Sequence, residues 1–181
     1  ALNSCKAGVS VIIHGQELNE ECLRIMKEKD ITFCPTYQFF VEWFSVYEPP
    51  YRPILDQYPG NTTAEKELNR ITDNLLNANK KGIRITVGSD SFCSTLTPYG
   101  KYAITEMYAL NKAGLTNMEV LKAATKNGAE MLKIDDITGT LEAGKFADLL
   151  VLSGNPAEDM KAVATENMEV IMKEGAFVKG Q

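Results

Sequence analysis

Short apolar runs alternate with longer stretches of helical periodicity over the first three-fifths of the chain. The runs at 9–14, 31–34 and 83–87 are rich in apolar and β-branched residues and are bounded by Gly or Pro, as buried strands are. The stretches between them place apolar residues three or four positions apart, as helices with one buried face do. This alternation predicts a parallel sheet with helical crossovers, an α/β fold.

Polar capping residues mark the starts of several helices. Asn19 can cap a helix over 20–29. The pattern Thr-x-x-Glu, which begins at Thr62 and again at Thr116, is the capping box found at many helix starts. The second of these boxes predicts one continuous helix over 117–132.

The residues after 134 follow a different, β-rich pattern. A glycine-punctuated turn region over 139–145 precedes an apolar strand over 147–152, and two further strands flank Glu174-Gly175 as a closing hairpin. We therefore divide the chain into a parallel α/β part, residues 1–134, and a small β-rich part, residues 135–181.

Two polar residues with metal-binding chemistry stand at the ends of predicted strands. His14 follows the first run and Asp90 follows the third. Because side chains alternate between the two faces of a strand, His14 shares a face with Ile12, and Asp90 shares one with Thr86. We expect both faces to lie away from the covering helices, at the carboxyl edge where α/β folds place their chemistry.

The chemistry of these two residues allows a metal site and also allows simpler roles. A neutral imidazole is a zinc ligand, and a carboxylate can bind a metal and carry protons. His14, the only histidine, could equally be a hydrogen-bonded structural residue. Asp90, within Gly-Ser-Asp-Ser, could be a turn residue or a helix cap. A catalytic zinc usually has three protein ligands, so these two would leave such a site incomplete.

Composition and charge narrow the classes of partner. The 24 acidic and 19 basic residues give a net charge of -5, which argues against nucleic acid because phosphate binding needs concentrated Lys and Arg. No apolar run approaches the ~20 residues that cross a bilayer, so no membrane association is expected. The 4 cysteines form no Cys-x-x-Cys and the start lacks a signal-peptide pattern. Together these features predict reduced thiols in a cytoplasmic protein.

Four segments of the chain carry motifs that recur in one order in a known family. They are Ala7-Gly8-Val9 leading to Ile13-His14-Gly15; Gly82-Ile83-Arg84-Ile85-Thr86-Val87-Gly88-Ser89-Asp90; the stretch from Gly114-Leu115-Thr116 to Ala129; and Gly139-Thr140-Leu141-Glu142-Ala143-Gly144-Lys145-Phe146-Ala147-Asp148-Leu149. In this order they resemble strand six, strand eight, the helix after the barrel, and the return into the small β-sandwich domain of metal-dependent amidohydrolases. The resemblance is to the imidazolonepropionase and Xaa-Pro dipeptidase (prolidase) type.

The resemblance implies a fold, a reaction and a site. The fold would be the C-terminal part of a (β/α)8 TIM barrel, strands six to eight, followed by part of the small β-sandwich domain. The reaction would be hydrolysis of a carbon–nitrogen bond in a small amide, cyclic amide or dipeptide-like substrate by a metal-activated water. The cofactor would be one or two divalent metal ions, expected to be zinc. His14 would bind the second metal, while Asp90 would bind the first and act as the catalytic residue on the water.

The resemblance also implies that part of the family's metal site lies outside this sequence. The family's His-x-His pair, its Lys or Glu on strand four and its His on strand five have no counterpart here. We therefore expect a fragment that is inactive by itself and forms a homo-oligomer through its open sheet edges. Ile13 and Ser89 stand where the family often has Glu and Thr, and neither difference removes a ligand.

Two other functions stay open at this point. A non-catalytic α/β binding or interaction module would keep the pattern without the chemistry. A metal-dependent deaminase of the same superfamily would share the strand-eight Asp. The aromatic stretch over 37–58 is either a lid over the site or an amphipathic helix and loop packed outside the barrel.

Overall fold

The structure, a computed structural model, describes residues 1–47, 64–91 and 100–180. The helices are Leu2–Ala7 (α1), Glu20–Glu28 (α2), Tyr37–Tyr47 (α3), Ala64–Lys80 (α4), Tyr102–Ala113 (α5), Asn117–Ala124 (α6) and Lys126–Leu132 (α7). The strands are Val11–Ile13 (β1), Thr32–Cys34 (β2), Leu149–Leu152 (β3), Met168–Lys173 (β4) and Ala176–Lys179 (β5). Short 3-10 turns at Met160–Val163 and Thr165–Asn167 connect β3 to β4.

Some sequence predictions fall partly or wholly outside the described ranges. The aromatic stretch begins as helix α3, while its residues after 47, the cap at Thr62 and Cys93 lie outside the described residues. Among the helices that are described, none combines the length and the apolar character needed to cross a bilayer.

Three extended segments form a parallel layer in chain order. β1 pairs in parallel with β2. Segment 83–87 lies on the other side of β2, where the Phe33 N–H donates to the Arg84 carbonyl at 2.8 Å and the Thr86 N–H donates to the Phe33 carbonyl at 2.9 Å. The predicted parallel arrangement is confirmed for these segments, and their carboxyl ends meet at one edge.

The hydrophobic core joins this layer to helices α2 and α4. Ile12, Phe33 and Ile85 occupy one row across the layer, and all three are buried. The buried residues of these helices recur three or four positions apart, as the sequence pattern predicts; they are Cys22, Leu23, Ile25 and Met26 from α2 and Ile71, Leu75 and Ala78 from α4. Each large side chain buried in this way stabilises the fold by about 1.5–3 kcal/mol.

The prediction for the faces of the first strand is wrong. We expected Ile12 and His14 to share a face away from the helices, but Ile12 is 6% exposed and belongs to the core, whereas Ile13 is 57% exposed. Periodicity could not decide between the two faces, because both are apolar; the buried row that includes Phe33 decides it. His14 does not continue the alternation, because it lies past the strand with a φ of 67°.

The helix predicted over 117–132 is interrupted. Its capping box is present, since Thr116 Oγ1 accepts the Glu119 N–H and the Glu119 carboxylate accepts the Thr116 N–H. At Thr125, however, φ is -126° and ψ is -92°, which separates α6 from α7. The expectation of one continuous helix is therefore wrong.

The junction between α6 and α7 bonds to the outer edge of segment 83–87. The Ala123 carbonyl accepts the Val87 N–H at 3.2 Å, and Asn127 Nδ2 donates to the Ile85 carbonyl at 2.8 Å. A continuous helix would keep the carbonyl of Ala123 within its own bonding pattern. The interruption thus satisfies backbone groups of the segment that would otherwise need another strand.

β3, β4 and β5 form a separate antiparallel sheet in that order. The turn between β4 and β5 places Glu174 at φ 52° and Gly175 at φ 82°, the left-handed pair that a two-residue hairpin needs. The predicted hairpin is confirmed. Met160 and Val163, from the connection between β3 and β4, belong to the main hydrophobic core, and the division between residues 134 and 135 stays a prediction.

Candidate metal centre at the strand ends

Each of the three parallel segments is followed by a non-glycine residue in the left-handed region. These residues are His14, Thr36 and Asp90, with φ values of 67°, 49° and 45°. Such a backbone conformation costs roughly 1–3 kcal/mol per residue and clusters at functional sites. It is least expected for a β-branched residue such as Thr36. The chain therefore turns sharply three times at the carboxyl edge of the layer, each time at a polar side chain.

The structure brings His14 and Asp90 together at this edge. His14 Nε2 lies 3.8 Å from Asp90 Oδ2, and the two side chains are 42% and 21% exposed. The separation is too long for a hydrogen bond, so neither atom satisfies the other. The expected proximity is confirmed, although for His14 it arises from the left-handed turn and not from the predicted strand face.

A hydrogen-bond chain fixes which nitrogen of neutral His14 carries the proton. His14 Nδ1 lies 2.7 Å from Thr36 Oγ1, and the Thr36 hydroxyl donates to the Pro35 carbonyl at 2.7 Å. A hydroxyl has one hydrogen, so when that hydrogen is bonded to the Pro35 carbonyl, Thr36 Oγ1 accepts from the His14 Nδ1–H. His14 Nε2 then carries a lone pair and faces Asp90, the arrangement that partners of metal-binding histidines commonly impose.

Sequence reasoning did not find Thr36. It is buried, and its position directly after Pro35 at the end of β2 is the one available signal. A single hydroxyl after a strand has many possible roles, so that signal could not have identified it without the fold.

Two aromatic rings from the first turn of α3 lie beside the His14 imidazole. The Phe39 ring lies 6.1 Å from it between centroids, and the Phe40 ring lies 5.7 Å away in an edge-on arrangement. Rings at these distances and angles make favourable aromatic contacts. They limit how the imidazole can rotate and place apolar surface beside the polar pair.

Gly88 and Cys34 set the spacing between β2 and the segment that leads to Asp90. A Cβ atom at Gly88 would overlap the Cys34 Sγ, so only glycine allows this close approach. Burial raises the pKa of the Cys34 thiol, and the carboxylate of Glu106 adds to the rise against a hydrogen bond with Thr86. Without a bound metal ion, the Cys34 thiol is therefore neutral at neutral pH.

His14 Nε2 and Asp90 Oδ2 could together bind one side of a divalent metal ion. Ligand nitrogen and oxygen atoms lie about 2.0–2.2 Å from zinc, so the 3.8 Å between His14 Nε2 and Asp90 Oδ2 suits one ion or two adjacent ions. Within the ranges that the structure describes, no group of three His, Cys, Asp or Glu side chains could hold a metal. The described residues therefore bring two candidate ligands together, whereas a catalytic zinc usually has three protein ligands.

The fold is mixed α/β, and His14 and Asp90 lie together at the carboxyl edge of its parallel strands. This is the class of α/β proteins whose functional residues lie at the carboxyl ends of the strands. Within that class, the profile of the amidohydrolase family matches residues 7–178. The chain therefore belongs to the amidohydrolase family.

Curated relatives agree with this membership. The chain is 29% identical to ochratoxinase from Aspergillus niger over 184 residues, which cover 97% of this chain and 35% of that protein. It is 40% identical to imidazolonepropionase from Picrophilus torridus over 75 residues, 41% of this chain and 18% of that protein. The chain thus spans 35% of the length of the ochratoxinase that it matches.

Solved structures give the same result for the fold. A Xaa-Pro dipeptidase with bound methionine aligns over 98% of this chain and 41% of its own, with a TM-score of 0.76 and 28% identity. The A. niger ochratoxinase structure aligns over 98% of this chain and 38% of its own, with a TM-score of 0.81 and 26% identity.

Proposed function

We propose that this chain is the C-terminal part of a metal-dependent amidohydrolase, with His14 and Asp90 as metal ligands and Asp90 as the catalytic residue. The observation that carries the proposal is the pair itself, in which His14 Nε2, with its lone pair free, lies 3.8 Å from Asp90 Oδ2. We propose zinc as the metal, because imidazole nitrogen and carboxylate oxygen are among its common ligands.

The parallel layer corresponds, in this proposal, to strands six, seven and eight of a (β/α)8 TIM barrel. Its order and direction support this, since β1, β2 and segment 83–87 are parallel neighbours in chain order. The residues from 135 onward would be part of the small β-sandwich domain. The remaining ligands would come from the part of the relatives' length that this chain does not span.

The chemistry divides between the metal and the residues of this chain. A bound divalent metal polarises a carbonyl and lowers the pKa of a water. His14 offers Nε2 as a ligand while Thr36 holds its other nitrogen. Asp90 accepts the proton that the water loses as its oxygen bonds to the carbonyl carbon. Asp90 then donates this proton to the nitrogen as the carbon–nitrogen bond breaks.

We propose a small amide or dipeptide-like molecule as the substrate. The relatives include a Xaa-Pro dipeptidase with bound methionine and an ochratoxinase. Phe39 and Phe40 place apolar surface next to His14, which suits an apolar group beside the scissile bond. The lid role of the aromatic stretch, the cytoplasmic location and the homo-oligomer remain predictions.

A non-catalytic binding module is the second candidate. It is favoured by one observation, that the described residues supply two metal ligands and no third. A module of this kind would keep the fold and would bind zinc weakly or not at all, both as this chain and within the full-length protein.

The test compares the 181-residue chain with the full-length protein. Zinc content by mass spectrometry and hydrolysis of an acyl-proline dipeptide are measured for both. We expect the full-length protein to bind zinc and hydrolyse an amide, and the chain alone to do neither. A full-length protein without zinc and without hydrolysis would favour the binding module. Tight binding of zinc together with hydrolysis by the chain alone would contradict the proposed incomplete site.

A further inference from the structure

Glu106, on helix α5, is a fully buried carboxyl group outside the proposed reaction. Its exposed fraction is 0%. Its Oε1 accepts the Tyr37 N–H at 2.8 Å, and its Oε2 accepts the Gln38 N–H at 2.5 Å. A buried carboxyl group is costly unless it is hydrogen-bonded, so this one is held in place by the two bonds that it makes.

The two amides that Glu106 accepts are the first two of helix α3. The first N–H groups of a helix have no partner within the helix and need an acceptor, and a carboxylate there also interacts favourably with the helix dipole. In most helices a nearby residue supplies this cap. Here the acceptor lies 68 and 69 positions away in sequence, so Glu106 fixes the start of α3 relative to α5.

The start of α3 has two separate connections to His14. Thr36, which directly precedes the helix, holds His14 Nδ1 through its hydroxyl while itself in a left-handed conformation. Phe39 and Phe40, in the first turn, contact the imidazole ring. Any shift of this turn therefore moves both the hydrogen-bond partner and the rings that orient His14.

We propose that Glu106 is a positioning residue of the candidate metal centre, which fixes the start of α3 and through it the orientation and tautomer of His14. The inference rests on the proposed function, because the tautomer matters there only if His14 is a ligand. The predicted orientation and tautomer of the His14 imidazole can be tested without metal or substrate.

Because His14 is the only histidine, nitrogen-15 NMR of the imidazole reports on this ring alone. At a pH where the ring is neutral, we expect wild-type chain to show the Nδ1–H tautomer. In Glu106→Ala, the signals should shift towards the Nε2–H form that imidazole favours in water. Removal of a buried acceptor typically shifts an equilibrium by about 10-fold or more, so hydrogen exchange at Tyr37 and Gln38 should be about 10-fold faster.

Three further variants keep the test decisive. Thr36→Val removes the hydroxyl and should produce the same tautomer shift as a positive control. Glu119→Ala is the matched control, since Glu119 also caps a helix, by accepting the Thr116 N–H at 2.8 Å, and it should leave the His14 signals unchanged. If Glu106→Ala does not fold, Glu106→Gln keeps the shape and one acceptor oxygen, and should give a partial shift in the same direction.

The outcomes separate this inference from the proposed function. Unchanged His14 signals in the folded Glu106 variant would overturn the positioning role, whatever the full-length protein catalyses. Equal shifts in Glu119→Ala would also overturn it, because the shift would then come from a general loss of stability. If the signals shift as expected but the full-length protein neither binds zinc nor hydrolyses amides, the positioning role stands and the proposed function fails.

Discussion

At the carboxyl edge of the parallel layer, the turn that carries Thr36 and leads into α3 is held by a buried carboxyl group on a distant helix, whereas sheet β3–β5 is held by strand pairing and surface contacts. The edge combines three left-handed residues with a buried acceptor on α5. In the sheet, every described residue of β5 is exposed, and so are Leu150 and Val151 of β3.

Each region contains a carboxyl group, and the pKa values of the two groups are shifted in opposite directions. Burial raises the pKa of Glu106 to about 7, even though two backbone N–H groups lower it. In the sheet, the pKa of Asp148 is lowered, first by the Glu174 N–H and then by Thr138 and Lys173. The Glu106 carboxyl group is therefore held in place at a cost in desolvation free energy, whereas Asp148 is stabilised by its hydrogen bonds at the surface.

The largest difference between the regions should appear in catalysis. Asp90→Asn in the full-length protein removes the proposed proton carrier, and general acid–base groups contribute about 10²- to 10⁴-fold to rate. We expect a loss of that size in kcat/KM for amide hydrolysis. Asp148→Asn is the same chemical change in the sheet, and it should leave kcat/KM unchanged at a temperature where both variants are folded. Equal losses would remove the functional distinction between the regions.

The next largest difference should appear in stability. Leu75 is 0% exposed in the core, whereas Leu150 is 51% exposed on β3. Truncation of a buried leucine costs about 2–5 kcal/mol, while surface substitutions mostly stay within about 0.5 kcal/mol. Urea denaturation should therefore show a large loss in the free energy of unfolding for Leu75→Ala and almost none for Leu150→Ala. A large loss for Leu150→Ala would show that the exposed face of β3 is covered in solution.

Glu106 should make the protein less stable as the pH rises. Its pKa is about 7 in the fold and 4.5 ordinarily, so between these values the folded state binds more protons than the unfolded state. Its contribution to stability is therefore fully present below 4.5 and is lost as pH rises to about 7, by roughly 1–3 kcal/mol. Relative to Glu106→Gln, wild type should lose stability between pH 5 and pH 8 in chemical denaturation. A constant difference would contradict the raised pKa.

Asp148 should give the opposite sign and the smallest effect. Its pKa lies below the ordinary 3.8, so its contribution is present above that value and is lost as pH falls through the folded pKa. Hydrogen exchange of the Glu174 amide should become faster below pH 4 in wild type. In Asp148→Asn, the exchange rate of the Glu174 amide, corrected for its intrinsic pH dependence, should not change with pH in this range. The same acid dependence in the variant would assign it to another group.

Much of the fold could be predicted because it depends on local patterns. The periodicity of α2 and α4 predicts most of their buried residues, and the turn Glu174-Gly175 predicts the hairpin. The face of Ile12 was missed because both faces of β1 are apolar and a neighbouring row decides between them. The interruption at Thr125 was missed because its reason, an unpaired edge of segment 83–87, exists only in the folded chain.

Some residues of the candidate site could be predicted from the sequence and others could not. His14 and Asp90 could be chosen as candidate ligands, because strand ends and ligand chemistry are visible in sequence, and the structure places the two side chains close together. Thr36 and Glu106 could not, since their roles depend on a left-handed backbone at a β-branched residue and on bonds between positions almost 70 apart. Neither feature leaves a local pattern in the amino-acid sequence.

Anomalous diffraction at the zinc edge, from crystals of the full-length protein, tests the central claim most directly. We predict zinc about 2.0–2.2 Å from His14 Nε2 and also from an Asp90 carboxylate oxygen, as one shared ion or as two adjacent ions. The Nδ1 atom of His14 should remain bonded to Thr36. A zinc ion bound at His14 Nδ1, or zinc bound elsewhere with both residues free of it, would contradict the account.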